Sequence, residues 1–188
     1  MPQVMDRDDV RRSLQRIAHE IVEHSGGADS LVLVGIHTRG LPLAERVSEA
    51  ISSFEDASIP VGAIDIGLHR DDLAARPVTS LVGTTLPVGI SERTVILVDD
   101  VLYTGRTVRA ALDALNVFGR PAAVRLAVLV DRGHRQLPIR PDYVGKNLPT
   151  SADERVSVLL ADIDGGQEGV WIHGTDQPPN GTSERTGR

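Results

Sequence analysis

Three short runs of β-branched and leucine residues constrain this chain most: Ser30–Ile36 (SLVLVGI), Arg93–Val98 (RTVILV) and Val124–Val130 (VRLAVLV). None alternates apolar with polar residues, so each predicts a strand covered on both faces. Helical spacing fills the gaps. From Val10 to Glu23, residues Val10, Leu14, Ile17, Ala18 and Ile21 fall on one side of a helix. Leu41–Ile51 repeats the spacing, as does Val108–Phe118, which Gly-Arg-Pro stops. Buried strands alternating with helices predict an α/β fold, a doubly wound and mainly parallel sheet with helices on both faces. Val61–Leu68 reads as a further strand, with short ones at Arg155–Leu160 and Gly169–Ile172. His69 to Glu92 reads as mostly long loop, and Asp131–Thr150 as irregular.

Composition narrows the function. The chain has 188 residues, 40% hydrophobic and 24% charged, an ordinary globular balance for one domain. That domain is expected to span residues 1–176, with 177–188 too polar to order. No apolar run approaches the roughly 18 residues that span a bilayer, and the N-terminus lacks a secretion signal, so a cytoplasmic setting is expected. With no cysteine, disulfides, thiolate metal sites and a cysteine nucleophile are excluded. A net charge of −6 argues against a general polyanion binder, so any nucleic-acid role needs a local basic patch.

In such sheets ligands sit outside the carboxyl ends of the strands. Three strand exits carry polar chemistry: HTRG from His37, DDVLYTGRT from Asp99 and DRGHR from Asp131. The middle one joins opposites. Thr104, Gly105, Arg106 and Thr107 would set backbone N–H groups and hydroxyls at a helix start, a phosphate cradle with Thr107 as its cap. Asp99 and Asp100 beside it suit neutral hydroxyls or a developing positive charge. A sugar 5-phosphate satisfies both.

VILVDDVLYTGRT resembles the phosphoribosyl-pyrophosphate (PRPP) signature of type I phosphoribosyltransferases. More narrowly, LVGIHTRGLPLAERV, LHRDDL and AVLVDRGHRQLPIR resemble the bacterial pyrimidine operon regulator and uracil phosphoribosyltransferase family, PyrR. The likeness covers roughly residues 8 to 165, and the last segment is far more specific than the PRPP motif. It implies a type I fold with a small C-terminal hood, largely from about 131–175. It also implies transfer of ribose 5-phosphate from PRPP to uracil, giving UMP and pyrophosphate. A second role is implied as well: UMP-responsive binding of pyrimidine-operon messenger RNA by transcription attenuation. A homodimer or higher homo-oligomer is a further implication.

Residue by residue, the resemblance assigns Asp99 and Asp100 to the ribose, and Val101, Leu102, Tyr103, Thr104, Gly105, Arg106 and Thr107 to the phosphate loop. Thr38, Arg39 and Gly40 match the pyrophosphate loop, which in the family often holds a non-proline cis peptide. Arg70 opens the mobile catalytic loop, although Gly67 and His69 stand where Thr and Tyr are more typical. Asp99, Asp100 and Arg39 are the expected catalytic groups. Mg²⁺ is expected to arrive with PRPP, with no direct protein ligand. Arg132 and main chain near Val144 are candidates for reading the base. Arg16, His19, His134, Arg135, Arg140 and Lys146 match the RNA-binding surface, while Gln15 replaces a more usual Thr.

Rival readings differ in class. The acidic pair alone would fit a receiver domain, but no phosphate loop follows the pair there. A purine-specific transferase fits the PRPP motif and not DRGHRQLPIR. A dinucleotide-dependent dehydrogenase would need GxGxxG after a strand, which is absent. An RNA-binding regulator with little catalytic activity, or one acting by translational repression, stays open.

Overall fold

The computed structural model of the protein describes residues 2–67 and 83–174. In chain order the elements are β1 (Gln3–Met5), α1 (Arg7–Ser25), β2 (Leu31–Ile36), α2 (Gly40–Ser52), β3 (Val61–Ile64) and β4 (Thr94–Leu102). They continue with α3 (Arg106–Leu115), β5 (Ala123–Asp131), β6 (Tyr143–Asn147), β7 (Arg155–Leu159) and β8 (Gly169–His173).

Five strands form the main sheet in the order β3-β2-β4-β5-β6, every neighbouring pair parallel. Successive side chains of a strand face opposite ways, so each buried run feeds two cores. Leu31, Leu33, Ile96 and Val98 point to one face, where Leu14, Ile17 and Ile21 of α1 and Leu43, Val47 and Ile51 of α2 cover them. Val32, Val34, Val95 and Leu97 point to the other, under Val108, Ala111, Ala114 and Leu115 of α3. Each fully buried aliphatic side chain contributes roughly 1.5–3 kcal/mol, so helices on both faces are what these strands require. At the start of α1, Asp6 accepts from the Asp9 amide at 2.8 Å and Asp9 accepts from the Asp6 amide at 3.1 Å. This reciprocal cap contributes about 1 kcal/mol.

The structure departs from the sequence reading in several places. β4 continues past the predicted Val98 to Leu102, because β5 extends alongside and pairs Val101 with Val130. Asp131–Thr150 is not wholly irregular: β6 runs parallel to β5, its Tyr143 buried and its Lys146 and Asn147 exposed, as suits an edge strand. The strand predicted over 61–68 ends at Ile64, and Leu68 lies outside the described residues. The hood, expected largely from about 131–175, also takes in the N-terminal β1: β1 pairs with β8, and β8 with β7, in an antiparallel sheet of order β1-β8-β7. His69, Arg70 and the tail 177–188 also lie outside the described residues. Among the described residues no helix is long and apolar enough to cross a membrane.

Candidate active site

β4 carries the two aspartates to the carboxyl edge of the sheet. Asp99 is buried at 7% exposure and pairs across the ladder with Val128. Its Oδ1 accepts from the Asp100 amide at 2.9 Å, and Asp100 Oδ1 accepts from the Val101 amide at 2.7 Å. Each carboxylate is thus steered by the backbone next to it. Asp100 keeps some accessible surface, yet protein surrounds its carboxyl. Burial pushes that group above the ordinary carboxylate range, against the opposing pull of the Val101 amide and the Arg39 guanidinium.

The candidate phosphate loop follows directly. Gly105 lies at φ 92° and starts α3 at Arg106, a left-handed conformation that glycine enters without steric penalty. Thr107 therefore falls inside the first turn and does not cap the helix, contrary to the sequence reading. Thr104 comes nearer that role, its Oγ1 accepting from the Arg106 amide at 3.4 Å. The first-turn amides of a helix have no intrahelical partner, so this end can take a phosphate.

The segment after β5 shapes the loop from behind. The Thr104 carbonyl accepts from the amides of Gln136 and Leu137 at 3.0 and 3.2 Å. Arg135 donates to the Tyr103 carbonyl at 2.8 Å, the Ile139 carbonyl at 3.0 Å and the Asp131 carboxylate. Arg106 donates from Nε to Gln136 Oε1 at 3.1 Å. Leu137 and Ile139 close over Gly105, so that a Cβ there would stand 3.3–3.4 Å from their side chains.

Opposite lies the turn between β2 and α2. The His37–Thr38 peptide is cis, Thr38 is exposed and Gly40 is buried. A Cβ at Gly40 would strike the Val98 carbonyl, and one at Gly35 the backbone of Leu41, so β2, α2 and β4 approach closely at glycines. That approach brings the Arg39 turn beside Asp100. Arg39 Nη2 donates to Asp164 Oδ1 at 2.7 Å, and its Nε is buried without a partner. Asp164 belongs to the turn between β7 and β8 and was missed in the sequence, where Ala-Asp-Ile-Asp-Gly-Gly shows no periodicity.

The remaining candidates spread more widely. Arg132 is buried, its guanidinium 4.0 Å from the centre of the Tyr103 ring. Its donors go to Thr150 Oγ1 and to the Ser151 and Glu154 carbonyls at 3.1, 3.3 and 2.8 Å. The Val144 carbonyl accepts from Arg16 at 2.9 Å, as the Gly145 carbonyl does at 2.7 Å. Arg16 also pairs with Glu20. Lys146, on the same edge of β6, donates to the Val4 carbonyl at 2.8 Å. His19 stacks on Phe54 with ring centres 3.9 Å apart. His134 sits beside Tyr103 and reaches the Thr150 carbonyl at 2.6 Å, and Arg140 is exposed. Arg16 and Lys146 thus share the α1–β6 edge, whereas His134 and Arg135 lie at the phosphate loop.

Known proteins match this arrangement. The family model described as a phosphoribosyl transferase domain matches residues 4–162. The bifunctional protein PyrR of Roseiflexus sp. (strain RS-1) is 58% identical over 171 residues, 90% of this chain and 93% of that protein. The protein of the same name from Streptomyces coelicolor is 58% identical over 163 residues, 86% of this chain and 84% of that protein. Among solved structures, a hypoxanthine phosphoribosyltransferase from Staphylococcus aureus superposes with a TM-score of 0.68 at 20% identity, covering 95% of this chain and 93% of that one. Parallel sheet, acidic strand exit and phosphate loop together define a type I phosphoribosyltransferase fold. The chain belongs to the phosphoribosyl transferase family, and within it to the branch of the bifunctional PyrR proteins.

Proposed function

We propose that the protein transfers ribose 5-phosphate from PRPP to uracil, forming UMP and pyrophosphate, and that it binds pyrimidine-operon messenger RNA when UMP is bound. The juxtaposition of the Thr104–Thr107 helix start with Asp99 and Asp100 carries the reading, since one end suits a phosphate monoester and the other a pentose. The amides at Gly105–Thr107 hold the 5-phosphate. Asp99 and Asp100 hold the 2- and 3-hydroxyls and stabilise positive charge as the anomeric carbon loosens from its leaving group. Arg39, with Thr38 and Gly40, binds the departing pyrophosphate through a planar guanidinium fork. The family resemblance adds Arg70, which lies outside the described residues, to the groups that bind PRPP. The carboxylate oxygens at the strand exit are hard donors of the kind Mg²⁺ takes, and Mg²⁺ bound to PRPP would neutralise charge on the leaving group. The base lies against the 131–150 segment, near Arg132 and Val144.

For the regulatory half, Arg16, His19, His134, Arg135, Arg140 and Lys146 match the family's RNA surface. Transcription attenuation is the mode that the family resemblance favours over translational repression. Incubation with PRPP, Mg²⁺ and each base in turn, with pyrophosphate measured, tests the chemistry: release with uracil alone supports it, and release with hypoxanthine alone refutes it. A filter-binding titration of operon leader RNA with and without UMP tests the rest. RNA binding without pyrophosphate release would favour the weakly catalytic regulator.

A further inference from the structure

From the turn between β7 and β8, Asp164 reaches Arg39 at the candidate site. Its Oδ1 accepts from Arg39 Nη2 at 2.7 Å, and its Oδ2 accepts from the Leu160 amide at 2.8 Å. The carboxylate is therefore fixed by its own turn before it meets the guanidinium. That turn is itself fastened to α2, since Arg46 donates to Asp162 at 2.8 Å and to Glu168 at 2.5 Å. Two acids act on Arg39: Asp164 in the hood by direct contact, and Asp100 at the strand exit electrostatically. Left to Asp100 alone, the guanidinium would close onto it, and the cationic and anionic halves of the site would quench each other. In the structure the guanidinium instead pairs with Asp164, and its Nε is left buried without a partner.

We propose that Asp164 is a positioning residue for Arg39, holding the guanidinium away from Asp100 so that it meets the diphosphate of PRPP. The inference rests on the role given above to Arg39. Asp164→Asn keeps an oxygen for the Leu160 amide and removes the charge that tethers Arg39. It should raise KM for PRPP about fivefold, the effect of an ion pair of this exposure, with kcat changed less than about twofold. In an Arg39→Ala background, Asp164→Asn should add nothing to KM, a coupling that a merely structural role would not produce. If Asp164→Asn unfolds the protein, Asp164→Glu, which keeps the charge and displaces it, should give the same KM rise. A normal KM in the folded Asp164 variant, with Arg39→Ala impaired, overturns the positioning role alone. A normal KM in Arg39→Ala overturns the reading of Arg39 and this inference with it.

Discussion

Gly105→Ala asks whether the turn before α3 is a phosphate cradle. Gly105 sits at φ 92°, where an L side chain costs roughly 1–2 kcal/mol. A new Cβ would stand 3.3 Å from Ile139 Cδ1 and 3.4 Å from Leu137 Cβ, a tight fit that the free end of Ile139 can relieve. Alanine also restricts the unfolded chain, which offsets about 0.4–1 kcal/mol. The net loss is about 1 kcal/mol, or about 2–4 °C in Tm for a domain of this size. Gly26→Ala is the matched control: Gly26 lies at φ 69° at the end of α1, with nothing within 4 Å of an added Cβ. It carries left-handed strain and none of the proposed ligand chemistry. Binding should separate the two. If the strain at residue 105 relaxes by turning the first peptide of α3, one amide–phosphate hydrogen bond is lost, worth roughly 1.5–3 kcal/mol. UMP affinity by calorimetry and KM for PRPP should then worsen about ten- to hundredfold in Gly105→Ala and stay unchanged in Gly26→Ala. Equal UMP affinity in the two variants would refute the cradle.

Asp100→Asn should lower kcat by on the order of a hundredfold while weakening PRPP binding much less; equal losses in both would contradict a transition-state role. The same variant has a stability signature. Because burial raises the folded pKa of Asp100, stability is fully present below the unfolded value of about 3.9 and is lost as pH rises through the folded one. Melts across pH should therefore show Asp100→Asn more stable than the parent at pH 7, with the gain vanishing near pH 3. Arg16→Ala should weaken leader-RNA binding and reduce its salt slope by about one, leaving UMP formation intact. Because Arg16 also ties α1 to the Val144 and Gly145 carbonyls, a small fall in Tm is expected, and loss of the transferase reaction would show that it serves the fold instead. Finally, if UMP tightens RNA binding by some factor, RNA must tighten UMP binding by that same factor; titrations in both orders giving unequal factors would exclude coupling at equilibrium.

The main sheet was legible because its central strands are buried on both faces and so leave uninterrupted apolar runs. β6 was not, since an edge strand buries Tyr143 and exposes Lys146 and Asn147, a pattern that reads as loop. β1 was hidden for a different reason. Its three residues carry no period of their own and become a strand only because β8 lies alongside. Antiparallel pairing between the two ends of a chain is a tertiary fact that no local window contains. The helix start at Gly105 was legible in kind and wrong in register, because threonine is a common cap and the left-handed glycine before it began the helix sooner.

The site divides along the same line. Asp99, Asp100 and the loop to Thr107 are contiguous, so their chemistry shows in one stretch of sequence. The Arg39–Asp164 pair joins residues 125 positions apart and leaves no trace there. Cations along the chain are least informative for the proposed RNA surface. Charge says that an arginine can meet a phosphate, but not whether its donors are already engaged. Arg135 holds carbonyls of Tyr103 and Ile139 together with the Asp131 carboxylate, and Arg16 holds two carbonyls and Glu20. For either to take a phosphate, it must release bonds that shape the loop or the edge of β6. Arg140, exposed at the surface, and Lys146, exposed with its ammonium on the Val4 carbonyl, can meet RNA at less cost to the fold. The salt dependence of binding should therefore follow those two more closely than Arg135.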